Sequence, residues 1–188
     1  MMRWMVRNQK GFTLMELLIA VAILAVLAAI GIPVYTKLRG SAKHAEAYAN
    51  LDGIRTAEEA YKMANGTYLT CPPSPRLPST LATAGNQAVT WQALDSDGNA
   101  TTSEGFALLG FEPNSEVRFV YEVEADLDND GNDDTNNYFA GALGDTDADG
   151  NQILIVASAS RGPHVVDSND TIPTGFMGGE AEATDTQD

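Results

Sequence analysis

An uninterrupted apolar segment near the N-terminus constrains the fold of this chain more than any other feature. Residues 14–34, LMELLIAVAILAVLAAIGIPV, contain a single charged side chain, that of Glu16. As a helix rising about 1.5 Å per residue, the segment is roughly 30 Å long, which matches the hydrocarbon thickness of a bilayer. It is therefore predicted to span a membrane.

A cleaved secretory signal peptide is the alternative, because Arg3, Arg7 and Lys10 form a basic start before the apolar run. The run is longer than the roughly 7 to 15 residues of a usual signal-peptide apolar region, and a carboxylate lies near its start. An ionisable group in a membrane segment is costly, and it usually has a partner and a function. Glu16 is therefore expected to have a partner.

The residues around the start of this segment resemble the N-terminal signal of type IV pilins, of the type IVa-like kind, and of type II secretion pseudopilins. The string Lys10-Gly11-Phe12-Thr13-Leu14-Met15-Glu16-Leu17 joins a basic leader ending in glycine to a phenylalanine and a glutamate, and Pro33 matches the family's helix proline. The resemblance implies that a prepilin peptidase cuts between Gly11 and Phe12 and that Phe12 is N-methylated.

The resemblance also implies how the subunits assemble. Glu16 of an incoming subunit meets the N-terminal amine of a subunit already in the filament, so charge pairing sets the stagger between subunits. Other implied partners are an inner-membrane assembly platform and minor pilins. The precursor is expected in the inner membrane of a Gram-negative bacterium, and the product is expected to be a filament at the cell surface.

The sequence after the apolar segment predicts an α+β fold, in which one long helix packs on an antiparallel sheet. Residues 35–66 favour helix, and Ala47, Leu51, Ile54 and Tyr61 recur at spacings typical of a helix with one buried face. Gly53 weakens this helix and is interpreted as a source of bends or flexibility. Residues 71–78 are rich in proline and predict an extended connection rather than a helix or a central strand.

Alternating apolar residues predict strands over 117–123, 137–143 and 152–159, with a weaker candidate at 89–94. Short connections favour a meander packed on the amphipathic half of the helix. The predicted organisation is a cleaved leader at 1–11, a membrane and polymerisation helix at 12–34, an amphipathic half at 35–66, a β-sheet domain at 67–166, and an acidic, solvated and flexible tail at 167–188.

Two acidic loops have the ligand order of a calcium-binding loop. Residues 126–134, DLDNDGNDD, place carboxylates at loop positions 1, 3, 5 and 9 with glycine at position 6, and residues 145–151, DTDADGN, repeat the first half. The twelfth position is Asn137, so a closing ligand must come from elsewhere. The predicted ligands are Asp126, Asp128, Asp130, Asn132 and Asp134 in the first loop, and Asp145, Asp147, Asp149 and Asn151 in the second.

The alternative for both loops is that Asp, Asn and Gly only form turns in solvated connections. Two copies of the pattern within 25 residues are more than turns require. The loops flank one strand and are expected to lie close together. Because Cys71 is the only cysteine, an intrachain disulfide is excluded, and our hypothesis is that calcium replaces it. The resemblance agrees, since pilins fix this part of the domain by a disulfide and pseudopilins by calcium.

Charge and composition exclude several functions. With 11 basic and 26 acidic residues, the chain has a formal charge of -15, so its surface is not expected to bind nucleic acid. It contains no P-loop, catalytic triad spacing or His-rich metal motif, so an enzyme is not predicted. The resemblance implies a structural subunit of a type IV pilus that serves motility or adhesion. A type II secretion pseudopilin and a calcium-dependent minor pilin or adhesin are the alternatives.

Overall fold

The computed structural model describes residues 11–75, 88–127, 133–145, 152–166, 172–173 and 176. Its elements in chain order are α1 (Leu14–Asn65), β1 (Cys71–Ser74), α2 (Gly105–Leu109), β2 (Val120–Glu124), β3 (Phe139–Gly144), β4 (Ile153–Ser158) and β5 (His164–Val165). A long helix followed by an antiparallel sheet confirms the α+β prediction. The chain divides into two compact units, Met1–Arg39 and Gly40–Asp188.

The first unit contains the apolar part of α1. Every residue from Gly11 to Tyr35 is exposed, and the helix continues past Pro33. Among the described residues, α1 is the one helix long and apolar enough to cross a membrane. Length and composition thus agree with the predicted membrane segment.

In the second unit, the remaining part of α1 buries one face, as its sequence periodicity predicts. Ala47, Leu51 and Ile54 are fully buried, and they share a core with sheet residues such as Tyr121 and Ile155. Fully burying a leucine or isoleucine side chain contributes about 1.5 to 3 kcal/mol to folding. This face therefore holds the helix against the sheet.

Polar contacts fix the position of α1 on the sheet. The Asn50 Nδ2 atom donates to the Tyr121 hydroxyl at 2.8 Å. The Glu46 carboxylate accepts from both the backbone N and the guanidinium of Arg118, at 2.7 and 3.0 Å. Hydrogen bonds to a charged group are directional, so these contacts specify one register of helix on strand.

Gly53 has a packing role that the sequence does not predict. The helix is continuous through Gly53, and a Cβ atom at this position would lie 3.0 Å from the Phe111 ring. The absence of a side chain therefore lets the ring pack directly against the helix backbone.

The sheet is the predicted meander, with strand order β1-β2-β3-β4-β5 and antiparallel pairing throughout. The three stronger strand predictions correspond to β2, β3 and β4. The weaker candidate at 89–94 forms only two isolated bridges, Val89 with Val117 and Leu94 with Ala100.

The proline-rich connection supplies one additional strand. Cys71 pairs with Val123 and Ser74 with Tyr121, with an irregular register between them. Pro72 and Pro73 lie between these paired positions and have no N–H to donate. Because β1 is at the edge of the sheet, this loss of donors is tolerated, as it would not be in a central strand.

The sheet is covered on both faces, which corrects one part of the tail prediction. Phe139, Leu154 and Val156 form a second buried cluster with Phe176, and the Phe139 and Phe176 rings lie 5.1 Å apart at 83°. Because β3 and β4 are apolar on both faces, each face needs cover from water. Phe176 is 2% exposed and is not part of a solvated tail. Apart from Ile172 and Pro173, the rest of residues 167–188 lies outside the described residues.

Glu58 is a buried carboxyl group on α1, beside the turn that follows the helix. It is 0% exposed, and its Oε2 atom accepts a hydrogen bond from the backbone N of Leu69 at 3.0 Å. Its Oε1 atom has no hydrogen-bond partner among the described residues. Burial raises the pKa of Glu58 to about 8, against the opposing effect of the Leu69 hydrogen bond and with smaller contributions from the charges of Asp133 and Glu59. The raised pKa therefore favours the neutral form of Glu58 in the folded protein at pH 7.

The stability of the fold is expected to fall as the pH rises from 5 to 8. A glutamate in an unfolded chain has a pKa of about 4.3, so between that pH and about 8 unfolding releases a proton from Glu58. The full contribution of Glu58 to the free energy of unfolding is present below a pH of about 4.3, and it is lost as the pH rises toward the folded-state pKa. The free energy of unfolding should decrease by up to about 1.4 kcal/mol per pH unit. Thermal unfolding of the full-length chain in detergent, followed at several pH values, measures this slope.

Glu58→Gln is the informative variant, because the amide has nearly the same shape and stays neutral. Its unfolding should depend less on pH than that of the unmodified chain. Glu116→Gln, at an exposed position, is the matched control and should retain the slope. An undiminished slope in Glu58→Gln would show that the buried carboxyl group is not its source.

Candidate functional site

The start of α1 forms a reciprocal hydrogen-bonded cap. Glu16 Oε2 accepts from the backbone N of Thr13 at 2.9 Å and from its hydroxyl at 2.8 Å. The backbone N of Glu16 in turn donates to the Thr13 hydroxyl at 3.2 Å. This is a capping box, in which two otherwise unpaired N–H groups of the first helical turn are satisfied.

Thr13 was not among the predicted site residues, although the sequence contains a signal for it. A threonine followed three positions later by a glutamate, directly before an apolar run, is the sequence pattern of a capping box. Within this single chain, Thr13 is therefore the partner of Glu16. Both hydrogen bonds from Thr13 go to Oε2, and Glu16 Oε1 accepts none from the described residues.

The predicted processing residues lie directly before this cap. Gly11 and Phe12 precede the helix, and the Phe12 side chain is 83% exposed. Residues 1–10 lie outside the described part of the chain. Pro33 is inside α1, 17 positions after Glu16, which corresponds to about 25 Å along the helix. Gly11, Phe12 and Glu16 thus form one local site, and Pro33 is separate from it.

The first acidic loop is closed at its base. The backbone N of Asp134 donates to the carbonyl of Ala125 at 2.8 Å, and the backbone N of Leu127 donates to the Asp134 carboxylate at 3.1 Å. These bonds bring the first and ninth positions of the predicted calcium loop to the same place. Of the predicted ligands, Asp126, Asp134 and Asp145 are described, and Asp128, Asp130, Asn132, Asp147, Asp149 and Asn151 lie outside the described residues.

Thr70 attaches this loop to the turn after α1, and it too was not predicted. Its hydroxyl donates to the Asp133 carboxylate at 2.7 Å and accepts from the backbone N of Ala125 at 3.0 Å. The backbone N of Tyr68 donates to the carbonyl of Asp134 at 3.1 Å. These three hydrogen bonds therefore connect the turn after α1 to the acidic loop and to its base.

The described ends of the two acidic loops do not lie close together, contrary to our expectation. The first connects β2 to β3 and the second connects β3 to β4, so they leave opposite ends of the six-residue strand β3. At about 3.4 Å per residue, the two ends of β3 are roughly 17 Å apart. One ion cannot be shared across that distance. Within the described ranges, no three His, Cys, Asp or Glu residues are grouped so that they could hold a metal ion.

Comparison with known proteins identifies the N-terminal motif. Residues 6–32 match the model of the prokaryotic N-terminal methylation motif. The chain is 46% identical to the type IV major pilin protein PilA of Myxococcus xanthus over 54 residues. The aligned residues are 29% of this chain and 24% of that protein. It is 44% identical over 62 residues to the type IV wide pilus major component PilA4 of Thermus thermophilus, covering 33% of this chain and 47% of that protein.

A third relative is the type IV major pilin protein PilE1 of Neisseria gonorrhoeae, 38% identical over 60 residues, or 32% of this chain and 36% of that protein. The chain thus spans less than half the length of each of these relatives. These relatives are pilus proteins by name. About a third of this chain is thus similar to type IV pilus proteins, and its residues 6–32 match the methylation motif.

Loss of the Thr13 hydroxyl is expected to loosen the first turn of α1. Thr13→Ala removes both side-chain bonds of the cap, so the amide hydrogens of Thr13 and Glu16 should exchange faster with solvent. Hydrogen exchange measured by NMR on the chain in detergent micelles tests this expectation. Thr13→Ser is the matched control, because serine retains the hydroxyl. Equal exchange rates in the alanine and serine variants would contradict the cap.

Proposed function

We propose that this chain is the structural subunit of a type IV pilus, that it is processed by a prepilin peptidase between Gly11 and Phe12, and that it polymerises through α1. The observation that carries the proposal is the exposed apolar start of α1, which coincides with the methylation motif at residues 6–32. Its relatives are pilus components by name. Motility or adhesion is the proposed role of the filament.

The apolar surface supports polymerisation. Large apolar side chains between Phe12 and Leu38 are 53% to 83% exposed in the isolated subunit. A continuous surface of this kind is not stable in water and needs lipid or protein against it. Lipid covers it in the membrane-anchored precursor. Identical helices of neighbouring subunits cover it in the filament, where small residues such as Ala22 and Ala29 allow close helix approach.

Glu16 supplies the specific contact in this mechanism. Cleavage after Gly11 creates a positively charged amine on Phe12, and the apolar surroundings strengthen its attraction to a carboxylate. Thr13 occupies only the Oε2 atom of Glu16, so Oε1 is available to the amine of a neighbouring subunit. Pairing then neutralises two charges that would each be costly to bury alone. The stagger between subunits follows from this pairing.

Glu16→Gln is expected to abolish filaments while leaving processing intact. Glutamine still accepts hydrogen bonds from Thr13, but it carries no charge for the neighbouring amine. Immunoblots should show the size decrease that corresponds to removal of 11 residues, and sheared surface fractions should contain at least about tenfold less protein. Thr13→Ser controls for changes in the first turn. Normal filaments in Glu16→Gln would refute the pairing mechanism.

The type II secretion pseudopilin and the minor pilin remain the alternatives, and the same fractionation separates them. A main pilus subunit is abundant in sheared surface filaments. A pseudopilin is confined to the inner membrane of normal cells, and a minor pilin is present in filaments at low abundance.

We also propose that the two acidic loops bind Ca²⁺ independently of each other. The ligand order of residues 126–134 supports this proposal, as does the closed base of the loop, which places Asp126 and Asp134 at the same end. Asp145, the first predicted ligand of the second loop, is buried, which supports the second proposed site. Carboxylate and amide oxygens are the ligands that Ca²⁺ prefers.

Removal of calcium is expected to lower the melting temperature of the domain. A ligand at a hundred times its dissociation constant stabilises the folded state by about 2.7 kcal/mol, so adding EGTA should produce a clear decrease. Calorimetric titration should count two ions in the unmodified chain and one in either Asp128→Asn/Asp130→Asn or Asp147→Asn/Asp149→Asn. Equal melting temperatures in calcium and in EGTA would refute the proposal.

A further inference from the structure

A cleft of about 440 Å³ lies in the second unit, and none of its lining residues belongs to α1 or to the acidic loops. Three neighbouring segments line it, at residues 91–93, 100–102 and 106–112. Its volume is within the range of roughly 300 to 1,000 Å³ that is usual for small-molecule sites. Neither the assembly mechanism nor the calcium proposal uses this cleft.

Aromatic rings at steep angles form the apolar wall of the cleft. The Trp91 ring lies 5.5 Å from Phe111 at 90° and 5.3 Å from Phe106 at 72°, measured between ring centroids. Phe111 is held against α1 at Gly53, where a Cβ atom would be only 3.0 Å from the ring. The Phe111 ring is therefore supported by the backbone of α1. The wall presents aromatic rings in more than one plane.

Three polar side chains line the cleft beside these rings. Gln92, Thr102 and Glu112 are exposed, and their side chains make no hydrogen bond or ion pair with other described residues. No Lys, Arg or His is among the residues that line the cleft. An amide, a hydroxyl and a carboxylate are thus available to a ligand, and the only formal charge among the lining residues is negative.

Charge decides which class of ligand fits. Residues 40–188 contain six Lys or Arg and 25 Asp or Glu, so the field around the cleft attracts cations and repels anions. Substituted ammonium ions bind against aromatic faces, and tryptophan is the best of these partners. A neutral sugar would contact the rings and hydrogen-bond to Gln92 and Glu112, but it would gain nothing from the net negative charge of the surroundings.

We propose that this cleft binds a substituted ammonium group, with its alkyl substituents against Trp91 and Phe111 and its charge balanced by Glu112. The amide of Gln92 and the hydroxyl of Thr102 orient polar atoms attached to the cation. This is a binding site for a small organic cation, and it is independent of filament assembly.

The test uses the full-length chain in an uncharged detergent and choline as the probe. Of the two tryptophans, Trp4 lies in the leader, so Trp4→Phe makes Trp91 the single fluorescent reporter. Choline chloride is titrated at constant ionic strength by replacement of sodium chloride. A saturable change in Trp91 fluorescence is expected. The neutral carbon analogue of choline, 3,3-dimethyl-1-butanol, should bind at least about tenfold more weakly, because it lacks the charge.

Glu112→Gln, made in the Trp4→Phe background, should weaken choline binding by about tenfold, whereas Glu116→Gln should leave it unchanged. Both positions are exposed, and Glu116 does not line the cleft, so it controls for net charge. Circular dichroism of each variant checks the fold.

The proposal would be overturned by no saturation by choline, by equal affinity for choline and its neutral analogue, or by equal effects of the two glutamate substitutions. Saturation by glucose at lower concentrations than choline would also overturn it, in favour of a sugar site.

Discussion

The structure depends on one helix that presents two different surfaces along its length. In the first unit, α1 is exposed from Leu14 to Tyr35 and is apolar on all sides, with Glu16 as the exception. In the second unit, the same helix is apolar on one face only, and this face is completed by the sheet. The first surface needs apolar surroundings. The second gives the globular unit its core.

Polar groups at the end of α1 connect the core to the acidic connections. Glu58 holds the turn after the helix through Leu69, and Thr70 in that turn holds the base of the first acidic loop through Asp133 and Ala125. A buried neutral carboxyl group and a threonine hydroxyl thus link the helix to the loop. The loop that we propose to bind calcium is therefore attached to the core of the domain.

Much of the site was predictable because it is local in sequence. Gly11, Phe12 and Glu16 are recognised from a contiguous string, and the cap formed by Thr13 follows a four-residue pattern. The roles of Thr70 and of Gly53 were not predictable in this way. Thr70 contacts a loop more than fifty residues later in the chain, and Gly53 is explained only by the ring of Phe111.

The sequence by itself determined the membrane-length helix, its amphipathic continuation and the alternating strands, because each depends on periodicities within short segments. Tertiary structure alone decided three things: that the two acidic loops leave opposite ends of β3, that Phe176 covers the outer face of the sheet, and that Trp91 and Phe111 meet at a cleft. Each of these depends on strand order and on packing between residues distant in sequence. Such packing follows from the need to bury apolar surface on both faces of the sheet, which no single segment specifies.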